Sequence, residues 1–333
     1  MKKFALFAFA LAEIAVNATG ATTIKIATVA PDGTAWMREM RAAAETIKQR
    51  SGDRVEIKYY PGGVMGDDAT VLRKIKIGQL QGAVFTGGQA ASITQDANVY
   101  GQPFQFRTLD EVDKVRAKVD PLLRASFEKA GFVAPGISGG GFAYLMSVKE
   151  IHGKDDLKSA KVWIPQGDRI AEAAFKAAGV TPIPLSLADV YTSLQTGLID
   201  TVENTTSGAI AFQWHTKVKY MVDLPLMYVV GVLVIDKKAF DALGADDQKA
   251  VNEEIGAAFA RLEKINRDDN AQARGVLQKQ GVTISVPTAD ERKAWEEIGA
   301  AARRDLVGAG GVSAELSSAA SKALDAARGR AGN

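Results

Sequence analysis

The chain of 333 residues contains no cysteine and only two histidines, His152 and His215. Without cysteine it has no disulfides, no thiolate chemistry and no lipid-modified cysteine as a membrane anchor. Two histidines alone are too few for a typical zinc site, and a carboxylate pair such as Asp67-Asp68 is more simply a helix-start cap. The sequence therefore predicts no metal and no cofactor.

Charge of one sign and long apolar runs are also lacking. The formal net charge is +2, and basic residues are scattered among acidic ones, as in ERKAWEEIGAAARRD. This pattern argues against a nucleic-acid partner. Beyond the N-terminal segment no run reaches eighteen apolar residues, so we expect the mature chain to be soluble. The nucleotide-binding loops G-x-G-x-x-G and G-x-x-x-x-G-K-[ST] are absent as well.

The first residues are typical of a secretory signal. A basic start, MKK, precedes the apolar run FALFAFALA, and small residues follow, which places cleavage after Ala18 or Ala21. We predict that residues 1–21 are a signal peptide. An exported chain with neither disulfide nor lipid anchor fits a freely diffusing protein of the bacterial periplasm.

Alternating and helix-periodic segments predict an α/β fold. TIKIATVA, RVEIKYYP and GAVFTGG have the character of strands separated by helices, which predicts a parallel sheet. The pattern continues through the strands FVAPGIS, FAYLMSV, KVWIP and YVVGVLVID. Residues 245–280 predict one extended helix or a kinked pair, long enough to cross between two lobes. The chain length allows two lobes of roughly 150 residues each.

One catalytic motif matches literally. GISGG satisfies G-x-S-x-G, with Ser138 as the nucleophile. That motif requires a strand that enters a helix, whereas here the glycines lead into FAYLMSV, another predicted strand. A glycine-rich crossing between two lobes is the favoured interpretation. Many strand ends, abundant glycine and no catalytic constellation indicate a binding protein and not an enzyme.

The segment ADVYTSLQTGLIDTVEN resembles a stretch typical of the solute-binding proteins of tripartite ATP-independent periplasmic (TRAP) transporters, the DctP-like family. Members read close to s-E-v-Y-x-A-L-q-t-G-v-v-D-G-q-E-N there. IKIATVAPDGTAW, PFQFRTLDEV and IHGKDDLKSAKVWIP are similar to the family too, so the resemblance covers nearly the whole mature chain. The matching residues of the first segment are Tyr191, Leu194, Gln195, Thr196, Gly197, Asp200, Glu203 and Asn204.

The resemblance implies an α/β, two-lobed periplasmic-binding-protein fold of the type II-like kind. Each lobe would be a mixed, mostly parallel sheet flanked by helices, with a long helix spanning both lobes. Lobe 1 would comprise residues 22–141 plus about 229–269, and lobe 2 residues 142–228 plus about 270–310, as the resemblance and the strand pattern place them. Residues 311–333 would form a C-terminal helix and tail.

The function implied is that of a monomeric periplasmic receptor, without cofactor. It would capture a small organic solute in the cleft between the lobes and deliver it to the small and large TRAP membrane subunits, which an ion gradient drives. Two alternatives remain. A periplasmic sensor input for a signalling system would bind a solute equally well, and a serine hydrolase would use Ser138.

Two positions depart from the family pattern. The arginine of K-x-R-x-P, which grips a ligand carboxylate in relatives, is Trp163 here, and a second frequent arginine is replaced by Ala143. Tryptophan offers an apolar face and one N–H donor, so it cannot neutralise an anion. An organic acid would therefore be bound without the usual arginine, using Arg169 or helix N-termini instead.

The predicted cleft holds its solute by aromatic stacking and amide or backbone hydrogen bonds. Trp163 would supply the stacking face, and the Asn204 amide can both donate and accept. Core packing is the alternative for the aromatic candidates, a turn for Asn204, and packing at a helix start for Trp36 and Asp68. The full set of predicted ligand-binding residues is Trp163, Asn204, Trp36, Asp68, Thr86, Gly87, Ala143, Phe212 and Trp214.

Overall fold

The computed structural model describes residues 21–308 and 311–329, so the predicted signal peptide lies outside it except for Ala21. The strands are β1 (Thr22–Ala27), β2 (Val55–Tyr60), β3 (Gly82–Thr86), β4 (Phe132–Ser147), β5 (Trp163–Pro165), β6 (Ile183–Leu185), β7 (Thr201–Thr205), β8 (Tyr220–Val222), β9 (Met227–Asp236) and β10 (Thr283–Ser285). The α-helices are α1 (Ala35–Arg50), α2 (Asp68–Lys76), α3 (Leu109–Lys129), α4 (Lys154–Lys158), α5 (Arg169–Ala177), α6 (Val190–Thr196), α7 (Thr206–Ala211), α8 (Lys237–Asp241), α9 (Ala245–Lys279), α10 (Ala289–Gly308) and α11 (Ala314–Ala327). Short 3-10 helices lie at Gly87–Ser92, Gln95–Val99, Leu187–Asp189 and Trp214–Thr216.

Eight strands form one mixed sheet, in the order β10-β8-β4-β9-β3-β1-β2, with β7 also paired to β4. Strands β1, β2 and β3 pair in parallel, as the strand–helix alternation predicts. Strand β9 lies antiparallel between β3 and β4. Strands β5 and β6 form a separate parallel pair. The prediction of a mixed α/β fold is confirmed.

Strand β4 is one continuous strand of 16 residues, so the prediction of two strands, FVAPGIS and FAYLMSV, was wrong. Its first part pairs with β9 and its last residues pair with β7 and β8. The ladder to β9 shifts register between Gly139 and Gly141, where Gly141 has a φ of +114°. A bulge of this kind bends a strand. Glycine and proline weaken a strand pattern in sequence, which hid the continuity.

Helix α9 lies directly on the glycines of β4. A β-carbon at Gly136 would stand 2.4 Å from the Phe259 ring, and one at Gly141 would stand 2.5 Å from Nδ2 of Asn270. Close packing on α9 therefore explains the first glycine of the GISGG motif. Ser138 is fully buried in the middle of β4, away from any strand-to-helix turn of the kind a nucleophile elbow requires.

Helix α9 is a single helix of 35 residues, about 52 Å long. Near its N-terminus Val251, Ile255 and Phe259 pack in the core that includes α1. Near its C-terminus Leu277 packs in a different core, together with residues of α6 and α7. The predicted long helix is confirmed as one that contacts both lobes.

Helices cover both faces of the sheet formed by β2, β1, β3 and β9. Helices α1, α8 and α9 pack on one face, and α2, α3 and α11 pack on the other. Around the far part of β4, α5 and α10 enclose one core and α6, α7 and the end of α9 enclose another. The C-terminal α11 returns to α3, where Arg328 pairs with the Glu111 carboxylate at 2.9 Å. The residue boundaries of the two lobes stay predictions.

We expect Gly275→Ala to raise the free energy of unfolding by about 0.5–1 kcal/mol, because glycine is a poor helix former. Gly275 is an exposed position inside α9, and a β-carbon there would meet nothing within 4 Å. Urea denaturation checks the prediction. Gly256→Ala in the same helix is the comparison variant, because its new β-carbon would contact the Pro135 carbonyl oxygen at 3.6 Å, whereas the one at Gly275 would contact nothing. Lower stability in Gly275→Ala would contradict the expectation.

Candidate functional site

A cavity of about 250 Å³ lies where the two lobes meet. On one side it is lined by the segments that follow β1 and β3 and by the start of α1. On the other side the lining comes from β5, β7, α7 and the start of α5. Strands β4 and β9, which run through both lobes, form its floor together with α9. Loops at the carboxyl ends of strands are the usual place for a ligand in α/β folds.

Trp36 provides the aromatic surface on the lobe 1 side. It stands in the first turn of α1, which Thr34 caps by accepting a hydrogen bond from the Met37 amide. Its indole packs edge-on against Phe259, with ring centroids 5.4 Å apart. Its Nε1 donates to Oδ1 of Asn266 at 3.0 Å. The indole N–H is therefore used within the protein, and Trp36 presents mainly an apolar surface to the cavity.

Trp163 provides the aromatic surface on the lobe 2 side. It is only 2% exposed and belongs to a hydrophobic core, yet it also lines the cavity. Its Nε1 donates to the Leu185 carbonyl oxygen at 3.1 Å, across the β5–β6 pair. Trp214 packs edge-on behind it at 5.2 Å, and Phe212 lies 5.7 Å from Trp214. The two predicted roles of Trp163, core and cleft, are thus combined in one residue.

Two asparagines on α9, one turn apart, connect the lobes. Asn266 accepts from the Trp36 indole, and its Nδ2 donates to the Gly139 carbonyl oxygen at 2.8 Å. Asn270 donates from Nδ2 to the Gly140 carbonyl oxygen at 2.7 Å. These residues were missed from sequence, although two asparagines on the otherwise apolar face of a helix are a readable signal.

The Oδ1 of Asn270 accepts three hydrogen bonds from the start of α7. They come from Oγ1 of Thr206 at 3.1 Å and from the amide and hydroxyl of Ser207 at 3.0 and 2.9 Å. The asparagine pair therefore ties α1, the middle of β4 and α7 to one face of α9.

Two buried carboxyl groups line the same cavity. Asp168 caps α5, with Oδ1 accepting from the Ile170 and Ala171 amides at 3.0 Å each. Burial raises the pKa of the Asp168 carboxyl above its usual range. Burial, with a smaller contribution from the nearby Asp168 charge, raises the pKa of Glu203 on β7 to about 8. Within the described residues the Glu203 carboxyl group has no hydrogen-bond or ion-pair partner.

Arginine, lysine and histidine are absent from the residues that line the cavity. Ala143, where relatives carry a second arginine, is a buried residue of the wall. Arg169, predicted as a substitute, begins α5 with an exposed side chain and does not line the cavity. The acidic groups of the lining are Asp168, Glu203 and Asp269.

The amide side chains of Asn204 and Gln89 supply neutral polar groups to the cavity. Oδ1 of Asn204 accepts from the Thr205 amide at 2.8 Å, and Oε1 of Gln89 accepts from Oγ1 of Thr86 at 2.8 Å. Their nitrogens have no acceptor among the described residues. Gln89 was not predicted. It lies in the 3-10 helix that follows the buried strand β3. Its place just after that strand is the signal in the sequence that could have identified it.

Six of the nine predicted residues line the cavity, namely Trp36, Thr86, Ala143, Trp163, Asn204 and Phe212. Gly87 begins the 3-10 helix between two lining residues, Thr86 and Gly88. The other two lie elsewhere. Trp214 is buried behind Trp163, and Asp68 lines a separate recess of about 10 Å³. Burial, together with repulsion from Asp67, raises the pKa of Asp68 to about 6.

The two lobes joined by shared strands, with a cavity between them, define a two-lobed solute-binding protein. The chain belongs to the bacterial extracellular solute-binding proteins, family 7, called DctP, whose family model matches residues 26–306. The predicted family membership is confirmed. None of the helices in the described ranges has the length and apolar character needed to cross a membrane.

The C4-dicarboxylate-binding periplasmic protein DctP of Rhodobacter capsulatus is 23% identical over 257 residues, which covers 76% of this chain and 77% of that protein. A TRAP periplasmic solute binding protein from Desulfovibrio salexigens, with bound orotic acid, has a TM-score of 0.83 at 20% identity, over 92% of this chain and 99% of that one. Another from Shewanella oneidensis, with bound succinate, has a TM-score of 0.84 at 19% identity, over 92% and 100%. This likeness confirms the two-lobed fold.

Proposed function

We propose that this chain is a periplasmic receptor that captures a small organic solute between its lobes and delivers it to TRAP membrane subunits. The observation that carries the proposal is the cavity itself, which both lobes line and which has strands β4 and β9 and helix α9 as its floor. A ligand that contacts both lobes stabilises their closed arrangement, because it gains contacts there that the open arrangement lacks. Family membership and the N-terminal sequence support export and transport.

Two experiments test the receptor proposal. A thermal-shift screen of the mature chain against organic acids, amino acids and amines should identify a solute that raises the melting temperature and is not consumed. Vesicles that contain the two TRAP membrane subunits should then accumulate that solute only when the receptor and an ion gradient are both present. Binding without such uptake would favour the sensor alternative. Loss of solute over time, abolished in Ser138→Ala, would favour the hydrolase.

We expect Trp163→Ala to weaken solute affinity about tenfold or more, since burial and stacking on one indole contribute about 1–3 kcal/mol. Isothermal titration with the solute from the screen measures the effect, at a temperature where the variant is folded. Trp214→Ala is the matched control, because that indole lies in the same core but does not line the cavity. Unchanged affinity in Trp163→Ala would eliminate the stacking role.

A further inference from the structure

We propose that the solute is a small organic cation, such as a protonated or quaternary amine, held between the Glu203 carboxylate and the faces of Trp36 and Trp163. This inference rests on the proposed receptor function and names the chemistry of its solute. Solved relatives hold orotic acid and succinate, so the inference separates this chain from them.

The sign of charge around the cavity is the first argument. Its lining contains three carboxyl groups and no arginine, lysine or histidine. Asp269 is exposed at the rim, whereas Asp168 and Glu203 are buried in the wall. A cleft lined by charges of one sign concentrates ligands of the opposite sign. An anion would instead enter a cavity whose lining holds no cation to compensate its charge.

Glu203 is the second argument. Its side chain is more than nine-tenths buried and has no hydrogen-bond or ion-pair partner among the described residues. Glu203 also lines a second, apolar cavity of about 40 Å³, whose lining includes Leu145, Phe175 and Trp295 and no other charged group. A buried carboxylate without a partner is costly, and a cation in the main cavity removes that cost. The raised pKa of Glu203 is the expected state of such a group while the cation is absent.

The aromatic residues are the third argument. Because the indole N–H groups of Trp36 and Trp163 donate to Asn266 and Leu185, these two residues offer the solute the carbon surface of their rings, which at Trp163 is small. Ring faces attract cations, and tryptophan does so most strongly. Indole rings and protein carboxylates both attract a positively charged nitrogen, and neither attracts the carboxylate of a solute.

The groups that could hold an anion are largely engaged within the protein. Thr34 caps α1, Asp168 caps α5 and Thr205 caps α7, so each α-helix that begins at the cavity already has a side-chain acceptor, whereas the 3-10 helix Gly87–Ser92 has none. The amide nitrogens of Asn204 and Gln89 remain as neutral donors. They suit a carbonyl or hydroxyl oxygen elsewhere on the same solute.

A binding panel tests the sign of the solute charge. We would measure thermal shifts of the mature chain with choline, agmatine and butylammonium, and with succinate, orotate and butyrate as acids of similar size. We expect the amines to raise the melting temperature and the acids to leave it unchanged. Shifts by the acids alone would overturn the charge inference and leave the receptor function standing. Mass spectrometry of solute released from the purified protein gives an independent reading, and a released anion would also overturn it.

The variant Glu203→Gln tests the proposed contact. It keeps the shape and removes the charge, and we expect it to weaken binding of the best amine about ten- to a hundredfold. Glu172→Gln, at an exposed position of α5, is the control and should bind normally. Affinity retained in Glu203→Gln would refute the ion pair. Tighter binding of an acid by wild type than by Glu203→Gln would show that a neutral Glu203 donates a hydrogen bond to a carboxylate, which also refutes the ion pair.

Discussion

Replacing Asn270 by alanine is expected to lower the free energy of unfolding by about 2–4 kcal/mol. The side chain makes five hydrogen bonds, two donated to the Gly140 and Asn266 carbonyl oxygens and three accepted from Thr206 and Ser207. Alanine leaves the carbonyl of Gly140 and the amide of Ser207 without these partners. Because Asn270 is partly exposed, water restores some of the loss, and this limits the effect.

Urea denaturation measures the stability of Asn270→Ala, and titration with the solute measures its affinity. We expect affinity to fall as well, because the asparagine positions Ser207 of the cavity wall. The control is Asn252→Ala, at an exposed position of the same helix, which should change stability by less than about 0.5 kcal/mol. Equal stability of the two variants would show that the asparagine does not hold the lobes together.

Stability of the ligand-free protein is expected to fall as the pH rises from about 4.5 to about 8, with Glu203 as a main cause. Its pKa is raised to about 8 in the folded chain from an ordinary value of 4.5. In this window the folded chain keeps a proton that the unfolded chain has lost, so raising the pH favours unfolding. Below about pH 4.5 both states are protonated, and the contribution is constant.

A shift of this size corresponds to at most about 5 kcal/mol, and we expect about half of it because the carboxyl borders an open cavity. Glu203→Gln removes the titrating group, so its stability should fall less than that of wild type between pH 5 and pH 8. Asp168 and Asp68 also have raised pKa values and keep part of the slope in the variant. Thermal unfolding at several pH values measures the difference. Parallel pH profiles of the two proteins would show that Glu203 is charged in the folded state.

The sequence predicts the strand–helix alternation and the long helix well, since both rest on local periodicity. It fails at β4, where Gly136 and Gly141, which would weaken an ordinary strand, are required by the close approach of α9. Only the packing partner explains them. The same limit applies to Trp163, whose side chain belongs to a core and to a cavity wall at once.

The chemistry of the cavity is harder to predict because it depends on which groups find partners elsewhere. Sequence comparison with the family locates Trp163 and Asn204. It does not show that both indole N–H groups are used within the protein, or that Glu203 is left alone. Whether a side chain is free for a ligand is a property of its surroundings. The hydrogen bonds of the α9 asparagines are equally hard to predict, since their partners are far away along the chain.

The position of β9 has a consequence for the order of folding. It lies between β3 and β4, yet β4 ends at Ser147 and β9 begins only at Met227. A growing chain therefore carries β3 and β4 as open edges, with no direct pairing between them, until about two-thirds of the protein has been made. Such pairing between distant segments slows folding. Strand β9 is thus the one that joins β3 to β4, and these two parts of the main sheet cannot be brought together before residues 148–226 have been synthesised.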